Sequence, residues 1–276
     1  MSQLTFASYF DRAKEAASVM PVKPALPAVN AQTMPHRMMG IEEARRRFIC
    51  VFRDTARNLR RWEVFSDFIT LAASELDMAR IRTTENIARS REICAKYGER
   101  DISNLHELFG LMVCALEAKF HDFLGAIFME LELGDDRNGQ YFTPYNVQSL
   151  LAKLLMPDID EMIRREGFVT VSDPASGAGG MIVAYAELML EAGYNPSEQM
   201  FGSCIDIDPI AADMAFIQLS LLGIPAEVVT GNTLTMQLKR VRYTPVYYIN
   251  NFEKRLEEQR RIAAMRKFLQ GLREAA

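Results

Sequence analysis

The chain has 276 residues, 49% of them hydrophobic, and a formal net charge of -4. That length carries one large core or two small ones, and the acidic balance excludes a uniformly basic, nucleic-acid-coating surface, so any DNA contact has to be local. Cys50, Cys94, Cys114 and Cys204 form no CxxC pair and only His36, His106 and His121 offer imidazole, which argues against a disulfide framework and against a metal site. Asp11, Arg12, Lys14 and Glu15 interrupt the place of a signal peptide, and no apolar run reaches the length of a membrane span, so the sequence reads as cytoplasmic with no membrane partner.

Residues 1–40 read as an arm. Pro21, Pro24, Pro27 and Pro35 make 21–36 a linker. It tethers Leu4 to Val19, which is either a short docking helix or a frayed terminus. Residues 41–134 read as a helical module: Ile41 to Leu133 lacks proline, and Phe65, Ile69, Ala72, Ala73, Leu76, Ala79 and Ile87 recur at helical spacing. The pattern predicts helices near 41–60, 62–97 and 104–132, with Gly98 as a stop for the second and Ser103 or Asn104 as a cap for the third.

Beyond Gly139 the rhythm changes. Phe168 to Ser172, Met200 to Ile205 and Ala226 to Val229 read as strands, separated by helices near 180–192 and 209–222. Strand alternating with helix predicts an α/β fold, a Rossmann-like parallel sheet over 135–251 preceded by the helical module. Residues 252–276 return to a charged helix in which Phe252, Leu256, Ile262, Met265, Phe268, Leu269 and Leu272 form an apolar stripe, for this chain or for a partner.

The run Asp173-Pro174-Ala175-Ser176-Gly177-Ala178-Gly179-Gly180 follows the first strand and opens a helix, the place where a parallel sheet presents its ligands. A carboxylate at Asp173 can accept from an ammonium group, which an amino acid cofactor offers and a pyrophosphate does not. Asp206 ends the second strand, where a carboxylate can hold both ribose hydroxyls. Asp208 and Pro209 suit the cap and first residue of the next helix. Gly231-Asn232-Thr233 follows the third strand, and Asn232 is either an acceptor for an adenine amino group or an ordinary turn residue. Thr143 and Pro144 open a helix whose start is either an anion site or simply capped.

These segments carry a resemblance. Gly139 to Pro144, Asp173 to Met181, Asp206 to Pro209 and Gly231 to Leu234 resemble the N6-adenine DNA methyltransferases, especially the modification subunits of type I restriction systems. The likeness runs over roughly 105–235, with Phe123-Leu124-Gly125 and Met129 to Gly134 on its approach. It implies S-adenosylmethionine as cofactor, held by Thr143, Asp173, Ala175, Gly177, Gly179, Asp206, Ile207 and Asn232, and adenine in DNA as substrate, flipped out of the duplex or single-stranded.

The family also implies a fourth strand ending in Asn or Asp, two prolines and an aromatic ring, which receive the target base. No such tetrad occurs here. The nearest candidates are Asn250, Asn251 and Phe252, in a run from Tyr247 where a strand would end at Asn250 or Asn251 with Phe252 after it. With about four strands where the complete class I methyltransferase fold has seven, the sequence reads as an incomplete version with an uncovered sheet edge. The expectation is therefore an atypical adenine methyltransferase, a non-catalytic methyltransferase-like subunit or regulator that pairs with another subunit or interferes with a restriction-modification complex, or a remnant without a ligand; the uncovered edge calls for a protein partner or a second copy. Arg45, Arg46, Arg47, Arg53, Arg57, Arg60 and Arg61 crowd one stretch, read as a solvated, ion-paired face in preference to a phosphate site. Trp62 and Phe65 beside them read as core anchors.

Overall fold

The computed structural model describes residues 39–133, 142–155 and 159–274. The arm with its linker, and Gly139 to Tyr141, lie outside them. Five helices come first: α1 Ile41–Asp54, α2 Arg61–Leu76, α3 Thr84–Cys94, α4 Glu99–Ala118 and α5 Phe123–Glu130. Then follow α6 Tyr145–Leu155, α7 Ile159–Glu166, β1 Val169–Asp173, α8 Gly180–Glu191, α9 Pro196–Gln199, β2 Met200–Asp206 and α10 Pro209–Leu221. The last elements are β3 Ala226–Asn232, β4 Gln237–Tyr243, α11 Pro245–Ile249 and α12 Phe252–Glu274.

The expected alternation of strand and helix is present, and the strands lie in the order β1-β2-β3-β4. β1, β2 and β3 run parallel, with Val171 opposite Gly202 and Gly202 opposite Ala226. Gly202 sits against α8, since a Cβ there would lie 3.1 Å from Ile182. That face is covered by α8 and α10. On the other face Thr170 and Ser172 are exposed and Ser203 donates to Glu227 at 2.8 Å, whereas Phe168, Phe201, Tyr247 and Phe252 seal its amino end. Alternation of this kind is what a strand solvated on one side requires.

β4 corrects the sequence reading in two respects. It lies over Gln237–Tyr243, and it runs antiparallel to β3, because four residues between the strands allow a hairpin and no crossover. The segment expected as a strand, Tyr247 to Asn250, falls in and just beyond helix α11: Thr244 caps it, Pro245 takes its first position, and the Thr244 hydroxyl is buried between Ala226 N and Ile224 O. β4 escaped the pattern because its inward positions are arginines. Arg242 is 6% exposed, donating to Asp77 at 3.1 Å and to Asp213 at 2.6 Å, and Arg240 also reaches Asp213.

The same cluster breaks the second expected helix. Asp77, 2% exposed, ends α2 by turning toward Arg242, its carbonyl accepts from Arg80 and Ile81 N–H, and Thr83 then caps α3. Gly98 is the cap of α4 and not the stop of a helix over 62–97, so α4 starts ahead of Ser103 and Asn104. The third expected helix is divided at 119–122, where Asp122 accepts from Gly125 N and caps α5. The first stops at Asp54 because Arg61 gathers the carbonyls of Phe52, Thr55, Ala56 and Leu59. α2 packs on α10, so Phe48, Phe65, Ile69 and Leu108 of the helical part share one core with Ala215 and Phe216 on the sheet.

Candidate functional site

β1 delivers Asp173 to the carboxyl end of the sheet, and the chain turns back there over the end of β2. Asp173 Oδ1 accepts from Ala175 N at 3.1 Å, Ser176 N donates to Ile205 O at 3.0 Å, and Gly177 N donates to Asp206 Oδ2 at 2.8 Å. Gly177 and Gly179 have φ of 52° and 83°, the left-handed region that favours glycine. The other Asp206 oxygen accepts from Asp208 N at 2.9 Å, and Asp208 caps α10 through Ile210 and Ala211 N–H with Pro209 first in the helix, as its sequence predicts. Thr233 donates to Pro174 O at 2.6 Å, joining the turn after β3 to the glycine loop. Asp173, Ala175, Gly177, Gly179, Asp206 and the Asn232 turn therefore share one end of the sheet.

This end is electronegative. Burial raises the Asp173 carboxyl above its ordinary value, with the charge of Asp206 adding to it. Burial raises Asp206 as well, with Asp208 adding to it and the N–H groups of Asp208 and Gly177 opposing. Among the described residues neither carboxylate has an ion-pair partner. The Cys204 thiol between them is fully buried and pushed far up by burial, so it is no nucleophile.

Asn232 Oδ1 accepts from Leu234 N at 2.9 Å and Thr235 N at 3.2 Å, the turn role of the two considered. Gly231 serves the same hairpin, since a Cβ there would meet Gln237 O at 2.8 Å. Ile207, 63% exposed, stands beside Asp206 as an open apolar side chain. Thr143 is exposed, and α6 begins one residue later than expected: the Pro144 carbonyl accepts from Val147 and Gln148 N–H, so Pro144 takes the capping place assigned to Thr143. Phe142 was not among the expected residues, yet its ring covers Gly177, where a Cβ would come within 2.8 Å, and packs edge-on to Phe128 at 4.9 Å. Its position beside Thr143 was the available signal.

Asn250, Asn251 and Phe252 lie elsewhere. Asn250 donates to Ser197 O at 2.7 Å, ahead of β2, and Phe252 is fully buried 5.3 Å from Phe168 and 5.9 Å from Phe201. Asn250 and Asn251 line an open hollow with Gly167, Glu198 and Arg255 at the amino ends of the strands. β2 alone separates that end from Asp206 by about 20 Å, so these three residues cannot receive a base beside Asp173. Helix α11 in place of the expected strand is the cause.

In the arginine stretch Arg45 pairs with Glu130, Arg47 with Glu107 at 3.0 Å and Arg57 with Asp54, the ion-paired reading. Phe65 is a core anchor, whereas Trp62 is 40% exposed and meets Phe128 only by its edge. The four cysteines are free; no group of metal-ligating side chains occurs among the described residues, and no helix there is long and apolar enough to cross a membrane.

Residues 128–262 match the N-6 DNA methylase family, which bears out the resemblance carried by the sequence motifs. A solved structure described as a class I S-adenosylmethionine-dependent methyltransferase from Listeria monocytogenes is similar at 17% identity and a TM-score of 0.40, over 67% of this chain and 52% of that one. No curated protein matches this sequence.

Proposed function

With residues 128–262 carrying the N-6 DNA methylase pattern, we propose that this protein binds S-adenosylmethionine at the carboxyl ends of β1 and β2 and serves methylation of adenine in DNA together with a partner that supplies the base-binding group. The observation that carries this reading is the pair of half-buried carboxylates, Asp173 and Asp206, at one end of the sheet with raised proton affinity and no cation against them among the described residues. An anionic dinucleotide would worsen that electrostatic position. A ligand with an ammonium and a sulfonium group relieves it.

When bound, S-adenosylmethionine supplies an electrophilic methyl group. In this reading Asp173 takes the ammonium end, the loop at Ala175, Gly177 and Gly179 frames the site with Gly177 under the Phe142 ring and Gly179 packed on Ala215 of α10, and Asp206 takes ribose hydroxyls on lone pairs left free by its backbone N–H donors. Ile207 offers the adenine an apolar face. Asn232 has the adenine role only if its turn opens, and Thr143 is the residue assigned to the carboxylate end of the ligand.

Transfer to an adenine amino group needs acceptors beside the methyl group, because the nitrogen lone pair is delocalised into the ring and rate depends on positioning. Asn250, Asn251 and Phe252 point away from that task by their placement at the other end of the sheet. The partner enters here: among the described residues no strand pairs with the far edge of β1, and a strand added there in parallel would end next to Asp173, where open α/β sheets place their ligand crevice.

Calorimetric titration with S-adenosylmethionine, followed by a DNA methylation assay on the same sample, tests this. Micromolar binding without methyl transfer is the expected result, with binding abolished in Asp206→Ala. Unchanged affinity in that variant would remove the assignment of the pocket, and methyl transfer by the isolated chain would remove the need for a partner.

A further inference from the structure

Beneath the glycine loop three buried side chains from separate segments meet: Asp122 ahead of α5, Gln148 in α6 and Gln218 in α10. Gln218 Nε2 donates to Ala178 O at 2.8 Å and to Asp122 Oδ1 at 2.9 Å, while Gln218 Oε1 accepts from Leu124 N at 2.9 Å. Asp122 Oδ1 also accepts from Gly125 N at 2.8 Å, and the Gln148 amide hydrogen-bonds to the same carboxylate. Gln148 Oε1 is buried with no hydrogen-bond partner and lies against Gly180, where a Cβ would run into it. At the end of the loop and the start of α8, Ala178 is thus hydrogen-bonded by Gln218 and Gly180 packs on Gln148, and both of these amides are anchored on one carboxylate.

The corner that carries Asp122 is braced in turn. Lys119 pairs with Glu187 of α8 at 2.9 Å, and Tyr145 of α6 donates to Glu187 at 2.6 Å. Burial desolvates Asp122 and raises its proton affinity, and amide donors with the neighbouring His121 oppose that rise. Apolar side chains would fill the same space without this desolvation cost, so the polar cluster contributes geometry more than cohesion.

We propose that Asp122, Gln148 and Gln218 are positioning residues for the cofactor loop: they fix the Ala178–Gly180 backbone from the α4–α5 corner and thereby set the affinity of the loop for its ligand. The affinity part rests on the S-adenosylmethionine reading above, whereas the positioning part does not require it.

The test compares the full chain with Gln218→Met, which keeps length and removes both donors, and with Gln148→Met in case the first variant folds poorly. Phe168→Leu, in the buried cluster at the amino ends of the strands and so at the opposite end of the sheet from the loop, serves as a control for general destabilisation. Expected are an affinity for S-adenosylmethionine about tenfold to a hundredfold weaker in the glutamine variants and faster hydrogen exchange at the Gly177 to Met181 amides of the ligand-free protein. The Phe168→Leu control lowers Tm and moves neither. Folded glutamine variants with unchanged affinity and loop exchange overturn the proposal. A wild-type protein that binds no S-adenosylmethionine overturns the cofactor reading, and loop exchange then decides: acceleration confined to the loop upholds positioning, and unchanged exchange overturns it.

Discussion

Asp173 and Asp206 hold their protons more tightly in the folded protein than in the unfolded chain. Between the ordinary carboxylate value and the raised one the folded state therefore binds more protons, so these groups cost stability as pH rises through that interval. Asp122, Asp213 and Glu75 are raised too and add to the same slope. Denaturant unfolding of the free protein should show stability falling as pH climbs from about 4. Affinity for S-adenosylmethionine should rise over the same interval, because a cation needs the carboxylates ionised. The rise should flatten in Asp173→Asn, and a pH-independent affinity would contradict the electrostatic basis of the site. At the opposite end of the sheet, Asn250→Ala should leave that affinity unchanged. Phe252→Ala, which empties a fully buried aromatic site, should cost about 3–5 kcal/mol of stability in thermal or denaturant unfolding.

Strand β4 and the break after α2 have a common cause, the cluster of Asp77, Asp213, Arg240 and Arg242. Both carboxylates and Arg242 are almost wholly buried, so removing the guanidinium leaves two buried carboxylates with only the more exposed Arg80 and Arg240 against them. Arg242→Met should therefore lose about 3–5 kcal/mol, and a loss below 1 kcal/mol in urea unfolding would show that the cluster relaxes or protonates freely. No apolar periodicity announces such an element, since its inward positions read as solvated ones. The breaks at 77–83 and 119–122 were likewise invisible to helical spacing, because Asp77 and Asp122, beside their local partners Arg80 and Gly125, turn inward to meet partners more than ninety residues away. Where an element is set by local signals, sequence and structure agree: Asp208 and Pro209 start α10, and the glycine loop starts α8.

For the molecule as a whole, the parallel strands are covered by α8 and α10 on one face, while β1 has an edge with no strand beside it among the described residues. Near-neighbour apolar side chains Val147, Leu150 and Leu154 of α6 are 41%, 58% and 74% exposed, and Met265 and Phe268 of α12 are 66% and 67% exposed. Apolar surface of this kind is what the proposed partner or a second copy would cover. Sedimentation velocity should show concentration-dependent self-association or recovery of a stable complex with a partner subunit, and a monodisperse monomer at high concentration would count against the partner reading. The sequence by itself determined the βαβ order, the glycine loop and the two strand-end carboxylates, because turn chemistry, capping and alternation are local and survive without partners. Only the tertiary structure decided the direction of β4, the burial of Arg242 and the distance of Asn250 to Phe252 from the cofactor end. Those depend on which distant charge meets which, and on whether Pro245 starts a helix where a strand would have carried an acceptor to Asp173.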